Sequence, residues 1–399
     1  MRSPDPDPAP ESKLGTETET ETGTGAGLYI HVPFCTSVCP YCDFAVTIAG
    51  EERRRGWVEG ILCEASMYSD LEFGFDTVYL GGGTPSAIEP DQLALILDGL
   101  AQHLEVDSST TTFLEINPED VSREKAAIWR QLGLRFVSLG VQSFDDADLA
   151  YLGRRHSAAD AVQATEILCE AGFETVSVDL IYGLDGRLPD HWKRQLETAL
   201  TFAIDHLSCY QLTVHEGTLL GRRVASGAVA VSEEAQISDL FFLTHELLSD
   251  AGFEGYEVSN FASAPEHHST HNQKYWDHTQ YLGLGPSSHS FVDGSRWWNR
   301  RKLRLWQKAV ATGQLPIEEK ERPSAEQFVL EALMLGFRTT AGVDLEKLRR
   351  KFGVDLLPAN ENVINRLTSS GHLEVDGTCL RPTLAGLAIA DALARSFTV

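Results

Sequence analysis

Three cysteines near the start of the chain have a spacing that suits metal chemistry. Cys35, Cys39 and Cys42 follow the pattern C-x3-C-x2-C and come directly after an apolar run, Leu28–Val32, that predicts a strand. Thiolates crowded on one loop favour a soft-metal site, and an iron–sulfur cluster is its usual occupant. Because a cubane cluster has four irons, three cysteines would leave one iron open to another ligand. An open position indicates chemistry rather than stabilisation alone.

Other interpretations of these cysteines stay open on spacing alone. A zinc site would need a fourth Cys or His ligand, for which His31 is a candidate, and a disulfide or a chance grouping is also compatible. The other cysteines lie in apolar contexts and are predicted to be buried thiols: Cys63, Cys169, Cys209 and Cys379. This usage of cysteine predicts a reducing, cytoplasmic location.

The composition describes a soluble, acidic protein of two or three domains. The chain has 399 residues, 42% of them hydrophobic, and a net charge of −25, which speaks against nucleic acid as a general partner. No apolar run reaches transmembrane length, and the acidic N-terminus resembles neither a secretory signal nor a transit peptide. Residues 1–27 combine Asp-Pro and Thr-Glu repeats and are predicted to be a disordered acidic tail.

The elements that must position the cysteine loop alternate between strands and helices. The predicted strands are Leu28–Val32, Thr77–Leu80, Thr112–Ile116, Phe136–Leu139, Thr175–Leu180 and His206–Leu212. The predicted helices between them are Glu51–Leu71, Pro90–His103, Ser122–Leu132, Ala158–Ala171 and Pro189–Ala203. This alternation predicts an α/β fold with a parallel sheet, either doubly wound or part of a barrel.

Polar and glycine residues follow the predicted strands at the point where each strand ends. The second strand runs into Gly81–Thr84, the third holds Glu115, the fourth reaches Gln142 and the fifth carries Asp179. Ligands of parallel α/β folds bind at the carboxyl edge of the strands. Because the cysteine loop follows the first strand at the same edge, we expect these residues to converge on one surface.

The pattern changes after residue 215. A helix over Glu233–Ala251 is followed by a loop rich in histidine and aromatic residues, which includes His271, Asn272, Tyr275 and Trp276, and by a Gly-rich turn over 283–289. Two helices, Val343–Phe352 and Ala359–Ser370, then precede a hairpin of His372–Val375 and Cys379–Pro382. We therefore predict a core over 28–215, an extension over 216–322 and a winged-helix-like domain over 323–399.

Together these motifs resemble the oxygen-independent coproporphyrinogen III oxidase-like branch of the radical S-adenosylmethionine (SAM) family, closest to its HemW-type haem chaperone subgroup. The motifs that carry the resemblance are Tyr29–Cys35, Cys39–Phe44, Gly81–Pro85, Gly140–Phe144, Leu152–Arg154 and His271–Trp276. The resemblance covers the chain from Leu28 onward. It implies an open, partial (β/α)6 radical SAM barrel with SAM across its carboxyl edge, followed by a smaller α+β region.

The resemblance also implies a role for individual residues. Cys35, Cys39 and Cys42 would hold a [4Fe–4S] cluster, with Tyr29 and Tyr41 beside the cluster and SAM. The remaining matches to SAM-contacting positions are Gly82, Gly83, Thr84, Glu115, Gln142, Arg154 and Asp179. Their types suit the task, because a carboxylate can bind the ammonium of SAM, Arg its carboxylate, and Gln or Asp its hydroxyls. The alternative for each residue alone is an ordinary strand-end or helix-cap role.

Two features separate the oxidase of this branch from its chaperone. The oxidase motif continues with a fourth cysteine, whereas this chain has Phe44 at that position, and only the low-complexity tail precedes the first strand. The HNxxYW pattern resembles the chaperone's haem site, with His271 as the iron ligand and Asn272, Tyr275 and Trp276 around it. A divalent-metal site or solvated loop residues are the alternatives for this His-rich stretch.

Three functions follow as hypotheses. The first is a haem chaperone that carries the cluster and SAM and delivers haem to an acceptor protein that the sequence does not identify. The second is a coproporphyrinogen III oxidase that uses radical SAM chemistry with an unidentified electron donor. The third is an iron–sulfur DNA-binding regulator, which the acidic body and the single cation of its would-be recognition helix, Arg366, disfavour. Family resemblance further implies homodimerisation and transient membrane contact.

Overall fold

The computed structural model describes residues 25–399, and the tail predicted for the first 24 residues lies outside that range. Six parallel strands of the described chain form the centre of the fold in the order β1-β2-β3-β4-β5-β6. They are β1 (Ala26–Val32), β2 (Phe75–Gly82), β3 (Thr111–Ile116), β4 (Phe136–Gln142), β5 (Thr175–Tyr182) and β6 (His206–Gln211). Since β1 begins at Ala26, the boundary predicted after residue 27 falls inside a strand.

Helices connect these strands as the alternating pattern predicts. They are α1 (Glu51–Ser66), α2 (Pro90–His103), α3 (Arg123–Gln131), α4 (Asp146–Tyr151), α5 (Ala158–Glu170) and α6 (Pro189–Ala199). Local signals set several of their starts: Pro90 stands in the first turn of α2, and Ser157 and Asp160 form a capping box on α5. The α/β class with a large parallel sheet is confirmed.

Alternation along the strands sends apolar residues to one face and chemistry-bearing residues to the other. Leu28, Ile30 and Val32 of β1 are fully buried in the main hydrophobic core. The residues between them, Tyr29 and His31, face the other way, as do Glu115 of β3 and Asp179 of β5. Burial of each large aliphatic side chain on the apolar face stabilises the sheet by roughly 1.5–3 kcal/mol. Because the residues of the inner face are not needed for this packing, the inner face is available for function.

Residues 216–322 complete both edges of the same sheet. In the described chain twelve strands follow the order β12-β11-β10-β9-β1-β2-β3-β4-β5-β6-β8-β7, with β9 parallel to β1 and β8 antiparallel to β6. The added strands are β7 (Glu254–Gly255), β8 (Asn260–Ala262), β9 (Tyr281–Leu284), β10 (His289–Val292), β11 (Ser295–Asn299) and β12 (Ile317–Glu321). The added helices are α7 (Leu219–Ala225), α8 (Glu234–Asp250), α9 (Thr270–Trp276) and α10 (Leu303–Ala311).

Two local predictions in this region are wrong. The HNxxYW stretch is the helix α9 rather than a loop, and its His271 and Lys274, three residues apart, are both buried. Because histidine and lysine are polar, their spacing gave no sign of a buried helix face. The predicted Gly-rich turn overlaps β9, since Gly283 pairs with Tyr29 of β1.

The C-terminal region has a core and a sheet of its own. It contains α11 (Ala325–Gly336), β13 (Val343–Asp344), α12 (Leu345–Phe352), α13 (Leu357–Ser369), β14 (Leu373–Asp376), β15 (Cys379–Pro382), α14 (Leu384–Leu387) and α15 (Ala390–Arg395). Phe337, Leu333 and Leu393 are fully buried in its separate cluster. The hairpin turns at Gly377, whose φ of 62° suits glycine. No helix among residues 25–399 is long and apolar enough to cross a membrane.

Candidate active site: a cysteine loop above a cavity lined with carboxylates

The three motif cysteines lie together at the rim of a large cavity. The loop between β1 and α1 carries them, and within residues 25–399 all three are free thiols. Thr84 Oγ1 donates to Cys35 Sγ at 3.5 Å, and Arg154 Nη1 donates to Cys39 Sγ at 3.8 Å. The sulfurs of Cys35 and Cys39 therefore each have a donor that can stabilise a thiolate, and no disulfide competes for the three cysteines in the described chain.

The donor set fits a cluster with one open iron and does not fit a four-ligand zinc site. Both ring nitrogens of His31 are engaged: Nδ1 with Tyr29 Oη at 3.1 Å and Nε2 with Ala45 O at 3.0 Å. His31 is thus withdrawn from the cysteines as a fourth ligand. Burial, with a smaller contribution from the neighbouring thiols, raises the pKa of the Cys42 thiol to about 11. Bound metal would therefore be needed to hold this sulfur as a thiolate.

Backbone contacts hold the cysteine loop close to the sheet. Cys35 N donates to Thr47 O at 3.2 Å, and Leu220 N of α7 donates to Pro40 O at 2.7 Å. Gly83 sits directly below the loop, where a Cβ would lie 2.6 Å from the carbonyl oxygen of Phe34. Only glycine permits this approach of two backbone segments.

Two carboxylates stand on the inner face of the sheet beneath the loop. Glu115 accepts hydrogen bonds from Tyr79 Oη and Gly82 N, both at 2.9 Å, and burial raises its pKa to about 7. Asp179 accepts from Ser138 Oγ at 2.9 Å, and burial raises its pKa to about 6. A bound cation would lower both pKa values, because it would favour the charged form of each carboxylate.

Arg154 brings a cation into this site, next to Cys39. Its Nη2 donates to Asn117 Oδ1 at 2.7 Å and to Gly140 O at 2.9 Å, which fixes the guanidinium between the sheet and Cys39. Gln142 ends β4 with a φ of 66°, next to an irregularity in the pairing with β5. A non-glycine residue in this left-handed region stores strain, which is common where a side chain is aimed at a ligand.

The structure brings most of the predicted SAM residues together. The cavity, of about 420 Å³, is lined by the three cysteines and by Tyr41, Gly82, Gly83, Thr84, Glu115, Gln142, Arg154 and Asp179. Tyr29 instead lines a neighbouring cavity of about 340 Å³. In the described chain it is the one predicted SAM residue that does not line the larger cavity.

The predicted haem residues do not converge on one cavity. His271 is 1% exposed, with Nδ1 bound to Thr77 Oγ1 and Nε2 to Tyr275 Oη, each at 2.9 Å. Burial lowers the pKa of its imidazole to about 3. Asn272 lines the larger cavity and Tyr275 the smaller one, whereas Trp276 lines neither cavity of the described chain.

Several residues of the site escaped sequence reasoning. Tyr79 orients Glu115, Ser138 orients Asp179, and Asn117 accepts from Arg154. The alternation of side chains along strands could have found Tyr79 and Ser138. Tyr79 pairs with Tyr29 of the neighbouring strand, and Ser138 lies four residues before Gln142 on β4, so each shares a face of the sheet with a predicted site residue. Asn117 follows β3 directly, at the strand end where site residues collect.

The fold and the site define a radical SAM protein. A family model described as the radical SAM superfamily matches residues 29–199, and one described as the HemN C-terminal domain matches residues 324–389. The structure of coproporphyrinogen III oxidase (HemN) from Escherichia coli superposes with a TM-score of 0.80 at 17% identity, covering 94% of this chain and 90% of that one. This likeness concerns the fold alone.

Relatives narrow the class to one family. Heme chaperone HemW of Mycobacterium tuberculosis is 34% identical over 92% of this chain and 94% of its own length. Heme chaperone HemW of Bacillus subtilis is 30% identical over 86% and 91%, and the mitochondrial radical S-adenosyl methionine domain-containing protein 1 of Bos taurus is 34% identical over 92% and 86%. The chain belongs to the HemW family, which confirms the resemblance drawn from its motifs.

Proposed function

We propose that this protein is a haem chaperone that carries a [4Fe–4S] cluster and SAM, binds haem and passes it to an acceptor protein. The observation that carries the proposal is the match to proteins named heme chaperone HemW over nearly the whole of both chains. Phe44 adds support, because it stands at the position of the oxidase's fourth cysteine and is 60% exposed beside the cluster loop.

Cys35, Cys39 and Cys42 would hold the cluster and leave one iron for SAM. When bound, the cluster supplies a redox-active iron site with one exchangeable position. Thr84 and Arg154 donate toward the sulfurs, which tunes their charge by hydrogen bonding. Tyr41 lies beside Arg154, within hydrogen-bonding reach of its guanidinium, at the same rim of the cavity.

The cavity residues would recognise SAM by charge and hydrogen bonding. Glu115 presents its carboxylate to the ammonium group, and the Gly82–Thr84 backbone lies beside it. Arg154 offers a guanidinium to the SAM carboxylate, whereas Gln142 and Asp179 can bind ribose hydroxyls. The cavity volume of about 420 Å³ lies within the usual range of small-ligand sites, roughly 300–1,000 Å³.

The role of His271 as a haem ligand stays a prediction. In the described conformation its two ring nitrogens are already bound, and Lys274 anchors α9 through Asp76 Oδ1 at 2.7 Å. Iron could reach His271 only if α9 left the sheet. We further propose that the protein is cytoplasmic and consists of a core over 28–215, an extension over 216–322 and a C-terminal domain over 323–399. We also propose that it forms a homodimer and contacts haem acceptors transiently at membranes.

One experiment separates the chaperone from the oxidase. The cluster is reconstituted anaerobically, and SAM and a reductant are added with either haem or coproporphyrinogen III. We expect a stable haem absorbance band and unchanged coproporphyrinogen III. Decarboxylated product would refute the chaperone function, and absence of haem binding would do so as well.

A further inference from the structure

The smaller cavity is lined by Tyr275 of the HNxxYW motif. This outer cleft, of about 340 Å³, is lined by residues that include Asp43, Phe44, Tyr275, Tyr281, His289 and Arg301. Tyr275 is the motif residue that lines it, and its hydroxyl binds the buried His271. The motif thus supports the wall of the cleft from behind.

The outer cleft adjoins the cluster site. Asp43 and Phe44 line both cavities, so this part of the cysteine loop borders the cluster site and the cleft alike. An exposed phenylalanine at the edge of an aromatic-walled cleft offers apolar surface to a flat ligand. Tyr275 and Tyr281 add two more rings, with centroids 4.7 Å apart.

His289 gives the cleft a metal ligand. It is exposed at the start of β10, and neither ring nitrogen has a hydrogen-bond partner among residues 25–399, in contrast to His31 and His271. Its ring stacks on Trp298 at 5.7 Å and 29°, which holds the imidazole in one orientation. A positioned imidazole with available nitrogens is what axial ligation of haem iron requires.

Arg301 gives the cleft a partner for a carboxylate. Its Nη2 donates to Asp43 O at 2.9 Å, which ties the cluster loop to the far wall. The guanidinium has five N–H donors, so this bond leaves capacity for a two-fold contact with a propionate. Aromatic walls, an imidazole and a guanidinium together match a flat, apolar, iron-containing ligand with carboxylate arms.

We propose that haem binds in the outer cleft, with His289 as an axial ligand of the iron and Arg301 bound to a propionate. This inference rests on the proposed function, since it names the place where the chaperone holds its cargo. In this arrangement His271 positions Tyr275 and does not touch the haem. Haem would lie next to the cluster loop, separated from it by Phe44.

The test is a haem titration of the cluster-loaded protein, followed by Soret absorbance and by electron paramagnetic resonance of the ferric iron. We expect His289→Ala to lose the histidine-ligated signature and to weaken haem binding on the order of 10–100-fold. Arg301→Gln should weaken binding and keep the signature. His271→Gln should also keep it, and His372→Ala in the C-terminal region serves as the matched control with parental binding.

The outcomes separate the inference from the function. If His289→Ala binds haem with the parental spectrum and affinity while His271→Gln loses the signature, the outer cleft is wrong and the chaperone function stands. If the parental protein binds no haem, both fail. The cluster absorbance and circular dichroism of each variant verify its fold, and His289→Gln provides a second substitution that keeps a polar side chain.

Discussion

The ionisation of Glu115 should control SAM binding. Its pKa is about 7 in the folded protein because burial disfavours the charged carboxylate, even though Tyr79 and Gly82 donate to it. Only the ionised form attracts an ammonium strongly. Lowering the pH from 7.5 to 6 would reduce the ionised fraction from roughly three quarters to about one tenth, which weakens SAM binding about eightfold, or about 1.2 kcal/mol.

The assay is isothermal titration of the cluster-loaded protein with SAM between pH 6 and 7.5, a range that limits deprotonation of the SAM ammonium itself. Glu115→Gln should bind SAM more weakly at pH 7.5 and lose most of the pH dependence. Glu72→Gln, the same change at an exposed residue that does not line the cavity, is the matched control. A parental affinity that is flat over this range, or a Glu115→Gln variant with the parental profile, would refute the reasoning.

Three further predictions concern the loop, the sheet and the core. Cys39→Ala should abolish the cluster, and an intact [4Fe–4S] absorbance spectrum in that variant would contradict the ligand assignment. Gly83→Ala should cost about 1–3 kcal/mol in urea unfolding, since its Cβ would meet the Phe34 carbonyl at 2.6 Å, whereas Gly217→Ala, with open space, should be nearly neutral. Burial lowers the pKa of His206 to about 3, so its contribution to stability is present above pH 6.5 and declines as the pH falls toward 3. The His206→Asn variant should therefore lose less stability than the parent between pH 7.5 and pH 5. An equal loss in both proteins would contradict this prediction.

The centre of the fold was predictable because its signals are local. Strand β3, for example, begins one residue before the predicted Thr112 and ends as predicted at Ile116, and α2 has the predicted bounds. Alternating apolar residues decide both the face and the length of such strands. The convergence of Glu115, Gln142 and Asp179 followed, since parallel strands place their carboxyl ends on one edge.

The parts that were not predictable depend on contacts distant in sequence. β9 is four residues long and pairs with β1, more than 240 residues earlier in the chain, and nothing in Tyr281–Leu284 names that partner. α9 is held in place by Thr77 and Asp76 of β2. For this reason the HNxxYW motif was correctly recognised as a family signature, whereas its burial and the separation of Tyr275 from Asn272 emerged only from the fold.

The central claim is that this protein carries haem, and a haem titration of the cluster-loaded chain tests it most directly. We predict saturable binding of haem with a defined Soret band, unaffected by coproporphyrinogen III, which the protein leaves intact. The absence of saturable haem binding, together with decarboxylation of coproporphyrinogen III in the presence of SAM and reductant, would contradict the claim.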